Sequence, residues 1–219
     1  MKILFSICVA VLPFISNAQE ENRSIEKIEA QLASNSKSVS DVLMDPAYMK
    51  LHSLSPFREV IKKNAKQEKI TLVNRNEPGI PVTIKVKLSA GRSVSNMLIY
   101  VYQTDNRGWY ADTGAHVLMR EGDRGHARLF GYLRSDKNGQ FEFLTIHPQG
   151  YPRSTLPQHI HLEVFDQDGN SLRLTELLFD DDDRLKGETR QSAEREGFII
   201  AKNEGKLGMQ VYSYNISLR

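Results

Sequence analysis

From Ile70 onward short segments alternate apolar and polar residues at every second position, whereas between Glu20 and Gln67 apolar residues recur three and four apart. Ile84, Val86 and Leu88 against Lys85 and Lys87 show the period-two pattern of a strand with one buried face. The same pattern predicts strands over Ile70–Val73, Val82–Leu88, Met97–Gln103, Ala127–Leu133, Gln140–Ile146, His159–Phe165, Leu172–Phe179, Phe198–Ala201 and Met209–Ile216. Pro78-Gly79-Ile80-Pro81 and Ala90-Gly91-Arg92 punctuate them as turns. So many short strands are enough for two packed sheets, and the expected fold class is all-β, a two-sheet sandwich. No internal repeat appears, and no segment reads as a helix long enough to carry a crossover between parallel strands.

The N-terminal part reads differently. Ile25, Ile28 and Leu32 mark one face of a short helix within Glu20–Ser40, with Ser24 as its cap, and Ser34–Ser40 reads as a linker. Phe57, Val60 and Ile61 give a second helical face. The expected organisation is residues 1–18 as a signal, 19–67 as a helical and linker segment, and 68–219 as the sandwich.

Candidate chemistry gathers in Gly139–His161. In a strand His159 and His161 project to one side and Ile160 to the other, so two imidazoles share a site. Six histidines make a His-x-His pair a chance event in roughly one such chain in seven, so the pair needs company. Tyr151, in a Gly-Tyr-Pro turn, is a third candidate ligand, and Tyr110 is a fourth. Tyr110 closes the block Tyr-Gln-Thr-Asp-Asn-Arg-Gly-Trp-Tyr at 102–110. His52, His116, His126 and His147 stand outside this pattern and read as surface or hydrogen-bonded residues. Asp180–Asp183 lacks the alternating spacing of a calcium loop and reads as a solvated turn.

Taken in order, the Tyr102–Tyr110 block, the Asp-Lys-Asn-Gly-Gln-Phe-Glu-Phe-Leu-Thr-Ile-His-Pro stretch, Gly-Tyr-Pro and His-Ile-His resemble the intradiol ring-cleavage dioxygenases over about Glu77–Phe179. That resemblance implies a short-helix N-terminal segment ahead of a sandwich of the family's type and a non-haem ferric ion, Fe(III), held by Tyr110, Tyr151, His159 and His161. It further implies cleavage of a catechol between its hydroxyl-bearing carbons by O2, giving a cis,cis-muconate-type dicarboxylate. Tyr151 would leave the metal and serve as the base. Hard phenolate donors suit a hard ferric ion.

The resemblance also marks pocket positions. Ser55-Pro56-Phe57 is similar to the loop that walls the family's substrate pocket, which nominates Pro56 and Phe57. Leu156 stands where the family carries an arginine that stabilises developing negative charge, and Glu176 where it often carries glutamine. Arg153 is the nearest replacement for the missing guanidinium and is therefore a catalytic candidate. The alternative, a sandwich that binds a metal or ligand without turnover, follows from the same loss.

Composition narrows the partners. A formal charge of +2, with basic residues scattered along 219 residues, gives no nucleic-acid footprint. Lys2, the apolar Ile3–Ile15 run and Ser16-Asn17-Ala18 read as a cleaved secretory signal, too short and too interrupted by Pro13 to span a bilayer. The expected protein is exported, periplasmic or secreted, free of the membrane after cleavage, and free of cysteine, because Cys8 lies within the signal. Its expected partners are a small-molecule catechol and O2, with homo-oligomerisation left open.

Overall fold

A computed structural model describes residues 12–111, 122–206 and 208–218. Most of the apolar part of the predicted signal, including Cys8, lies outside these residues, as does His116. Among the described residues no helix is long and apolar enough to cross a membrane.

The alternating segments form strands β1 (Lys69–Thr71), β2 (Pro81–Ser89), β3 (Leu98–Gln103), β4 (Leu129–Arg134), β5 (Gln140–Ile146), β6 (His159–Phe165), β7 (Ser171–Phe179), β8 (Ile199–Ala201) and β9 (Gln210–Ser217). They assemble as a four-stranded sheet, β1-β5-β2-β9, and a five-stranded sheet, β4-β3-β6-β7-β8. Inward residues of the first sheet, such as Ile84, Phe143 and Tyr212, are fully buried, as are Ile99, Ile160 and Leu162 of the second. The resulting architecture is a predominantly β, sandwich-like fold.

The second sheet is also covered on its outer face, which is why all six residues of β3 are buried. The cover is N-terminal: α1 (Leu12–Ala33), α2 (Val39–Met44), a 3-10 turn (Pro46–Leu51) and α3 (Ser55–Lys63), while the short α4 (Gly122–His126) precedes β4 in the chain. Ile25, Ile28 and Leu32 of α1 pack towards α3, whose Phe57, Val60 and Ile61 face β4. One charged residue joins this layer. Arg58 lies over the Phe130 ring at 3.7 Å and donates to the carbonyls of His52 (2.9 Å), Ala127 (3.1 Å) and Arg124 (2.8 Å), so its buried charge is hydrogen-bonded on several sides.

Several expectations are corrected. Among the described residues the first helix covers Leu12–Ala33, and Ser24 is not its cap, because its hydroxyl donates back to the Glu20 carbonyl at 2.8 Å in mid-helix. The Ser34–Ser40 linker contains a helix start: Ser38 accepts from the Asp41 amide at 3.1 Å while the Asp41 carboxylate accepts from the Ser38 amide at 2.8 Å. Three strand pairs are parallel, β1 with β5, β2 with β9 and β7 with β8. The last is bridged by α5 (Gly187–Glu196), a helix that the apolar pattern does not reveal because Ala193 is its one buried residue. Ala193, Leu178 and Leu185, with Phe198 and Ile200 against them, pin α5 to the sheet.

Candidate metal centre

Strand β6 places Ile160, Leu162 and Val164 in the core between the sheets, so His159 and His161 emerge on the outer face. Register then builds a row across the sheet: Phe130 of β4 opposes Tyr102 of β3, Tyr102 opposes His161, and His161 opposes Glu176 of β7. The Tyr102 ring stacks on the His161 imidazole with centroids 4.4 Å apart.

The two tyrosines arrive on loops that lock to each other. Asp105, whose side chain is buried, accepts from the amides of Arg107 (2.8 Å) and Trp109 (3.1 Å), folding the chain into the turn that delivers Tyr110. The Asp105 carbonyl accepts from the Gln149 amide at 3.1 Å, which ties that turn to the segment leading into Tyr151. Gly108 has φ +80° and lies so close to Gly150 that a β-carbon on it would stand 2.3 Å from the Gly150 carbonyl oxygen. Arg128 closes the assembly, pairing with Glu77 at 2.6 Å and donating its amide to the Tyr110 carbonyl at 2.6 Å.

All four sequence-nominated ligands therefore converge. The Tyr110 hydroxyl lies 2.5 Å from that of Tyr151 and 2.8 Å from His161 Nε2. The Tyr151 hydroxyl is 3.0 Å from His159 Nε2, and the two Nε2 atoms are 3.2 Å apart. Atoms that each stand ~2.0–2.2 Å from one ion are separated by about 3 Å, the spacing seen here. His159 Nδ1 donates to the Pro157 carbonyl at 2.7 Å, which leaves Nε2 with its lone pair towards the other donors. Burial, and after it the neighbouring His159, lower the His161 pKa to about 3, so this ring is neutral at physiological pH and able to coordinate. Glu176 Oε1 stands 3.7 Å from His161 Nδ1, on the nitrogen turned away from the cluster. Its carboxylate and the two imidazoles also form a group of atoms within 4.8 Å of one another. Two phenols, two imidazoles and an adjacent carboxylate fit a hard, highly charged cation.

A family model named Dioxygenase_C, described as a dioxygenase, matches residues 56–219, well over half of the chain. The chain belongs to the intradiol dioxygenases. The protocatechuate 3,4-dioxygenase beta chain of Burkholderia cepacia is 30% identical over 139 residues, which cover 60% of this chain and 56% of that relative. The chain thus spans about half the length of the curated relative it matches. Solved structures share the fold. The dioxygenase domain of a dioxygenase and carbohydrate-binding protein fusion from Streptomyces sp. SirexAA-E superposes with a TM-score of 0.53 at 19% identity, covering 70% of this chain and 88% of that one. Catechol 1,2-dioxygenase from Acinetobacter sp. ADP1 does so with 0.53 at 14% identity, covering 95% and 83%.

Beside the donors, this member of the family has a cavity of about 320 Å³ that Tyr151 and His159 line together with Leu156, Pro157, Glu176 and Leu178. Its remaining wall is α5, through Thr189, Ser192, Ala193 and Glu196, followed by Phe198. Leu156 and Glu176 thus line this cavity. Pro56 and Phe57 do not, and Phe57 is fully buried, stacked on His52 with centroids 5.2 Å apart, because α3 turns its apolar face onto β4. Nor does Arg153 line it. Arg153 is exposed in a left-handed turn with φ +60°.

Residues that the linear pattern missed support the site from a distance. Asp182, expected in a solvated turn, is buried, and it accepts from the Gln158 amide at 2.6 Å, fixing the approach to His159. Arg184 donates to the Leu156 carbonyl at 3.3 Å and fills the space beside Gly150. A larger cleft of about 490 Å³ lies on the exposed side of the four-stranded sheet, away from these donors, lined by charged residues such as Lys69 and Glu142 that pair with each other.

Proposed function

We propose that this family member is an exported, iron(III)-dependent intradiol dioxygenase that cleaves a catechol between its hydroxyl-bearing carbons to a cis,cis-muconate-type dicarboxylate. One observation carries the proposal: four lone-pair donors from three separate chain segments meet within 3.2 Å beside a cavity of ring-binding size. Tyr110, Tyr151, His159 and His161 would hold the ferric ion. When bound, it supplies Lewis-acid polarisation of the catechol oxygens and a ring electron-rich enough to react with O2. The chain's own groups do the rest. Leu156, Pro157, Leu178 and Phe198 present apolar surface to the ring and exclude water. Tyr151, whose Oη shares the cavity wall and lies against Tyr110 Oη, would accept a catechol proton in its phenolate form, the form the ferric ion would hold. Export rests on the Ile3–Ile15 apolar run and the small residues Ser16-Asn17-Ala18, and N-terminal sequencing of the mature protein tests it.

A second reading, metal binding without turnover, is favoured by Leu156, which replaces a stabilising cation with a leucine that is 54% exposed. Iron content, the visible spectrum of aerobically purified protein and product absorbance on catechol separate the two. A tyrosinate-to-iron band with muconate-type product supports the enzyme, the band without product from any of several catechols supports the binder, and the absence of both rejects the ferric site.

A further inference from the structure

The charge of the cavity wall selects among catechols. We infer that the enzyme prefers catechols whose ring substituent is cationic, such as an alkylammonium, and discriminates against those bearing a carboxylate. This inference rests on the ferric, catechol-cleaving function proposed above. The volume of about 320 Å³ lies at the lower end of small-molecule sites, roughly 300–1,000 Å³, which leaves room for one ring and a short substituent. The ring meets Leu156, Pro157, Leu178, Ala193 and Phe198, whereas the charged groups on the wall are both carboxylates, Glu176 and Glu196. No lysine or arginine lines the cavity among the described residues.

Three guanidiniums of the surrounding elements are turned to other work. Arg190 pairs with Asp180 at 2.5 Å and with Glu194 at 3.0 Å, Arg173 donates to the Gly197 carbonyl at 3.2 Å, and Arg184 to the Leu156 carbonyl at 3.3 Å. Where the family resemblance predicts a positive charge, the wall presents Leu156. Ser192 donates to Glu196 Oε1 at 3.0 Å and holds that carboxylate over the last turn of α5, while Glu176 is fixed by its place opposite His161 in the sheet. An anionic substituent entering this cavity meets two like charges with no counter-ion among the described residues of the wall, and an ammonium meets two partners. Glu196 is exposed and the Glu176 side chain is 32% exposed, so the discrimination is moderate and weakens with salt.

The test uses the iron-loaded full chain and three ligands: 4-(2-aminoethyl)catechol, catechol and 3,4-dihydroxybenzoate. Dissociation constants come from anaerobic titration of the visible band, and kcat/KM from product absorbance. Affinity is expected to fall in the order given, with the two ends differing on the order of tenfold at low salt. Glu196→Gln should narrow that gap, and Glu196→Lys should invert it. Equal or tighter binding of the carboxylate ligand, or an order unmoved by Glu196→Lys, overturns the charge selection while leaving ring cleavage standing. A band that responds to none of the three ligands overturns the catechol-cleaving function and the selection with it.

Discussion

The row Phe130-Tyr102-His161-Glu176 joins two regions of one sheet face that hold histidines in the same charge state for different ends. At one end His52 is buried between Phe57 and Phe130, its Nδ1 bonded to the Arg128 carbonyl at 2.7 Å, and burial lowers its pKa to about 4. At the other, His161 is lowered to about 3, again chiefly by burial. Neutrality therefore does not mark a ligand. The environment of the second nitrogen does: His52 Nε2 is buried without a hydrogen-bond partner among the described residues, whereas His161 Nε2 faces Tyr110 and His159. A perturbed histidine becomes a candidate site only when other donors converge on it and a cavity opens beside them.

The largest break in this comparison comes from removing one histidine at a time. His159→Ala and His161→Ala are each expected to abolish iron retention after aerobic purification while the protein stays folded. His52→Ala should keep iron and instead lose stability on the order of 2–3 kcal/mol, as buried truncations do. Metal analysis alongside urea unfolding reads both effects, and iron loss in His52→Ala would erase the distinction. Tyr151→Phe belongs with the ligand end, retaining iron through Tyr110 but shifting the visible band.

Gly108→Ala acts next, through backbone alone. The added methyl collides with the Gly150 carbonyl at a position whose φ is +80°, so the two tyrosine loops must part. Iron affinity is expected to fall roughly 10–100-fold, the scale of disturbing a ligand's support, with the far-ultraviolet dichroism unchanged. Wild-type affinity in this variant would show that the loops are not coupled.

Acid sharpens the structural end. His52 has a folded-state pKa of about 4 against 6.5 unfolded, so between those values the unfolded chain binds more protons. Its contribution is intact above pH 6.5 and is lost as pH falls towards 4, by up to about 3 kcal/mol. Urea midpoints of wild type and His52→Leu from pH 7 to 4 should converge as the pH drops, and parallel curves would remove His52 from the account.

The smallest effect is expected at Arg153. Its exposed side chain lines no part of the cavity, so Arg153→Ala should leave kcat and kcat/KM for catechol within about twofold. A loss on the order of 10²-fold, the scale of a lost transition-state donor, would restore it as the substitute for the missing arginine.

Much of this protein was written in local pattern. Alternation in Val82–Leu88 and His159–Phe165 fixes which side chains face the core, since a strand has period two wherever it pairs. His159 and His161 therefore had to share a face, and the Tyr110 and Tyr151 turns carry their own Gly, Asp and Pro signals. Pairing is different, because it depends on partners far along the chain. The parallel neighbours β2 and β9, and the crossover through α5, are decided by what the whole sheet buries, and α5 itself offers only Ala193 to the core. For the same reason Phe57 became a core ring and not a pocket wall, and Asp182 a buried clamp on Gln158. The His159 and His161 pair was legible because residue type and short spacing define it, whereas the set completed by Tyr110 and Tyr151 was what the family resemblance implied. The cavity beside it was not legible, since its wall comes from Tyr151, Glu176 and Glu196, brought together only when the Tyr151 loop and α5 pack beside β6 and β7.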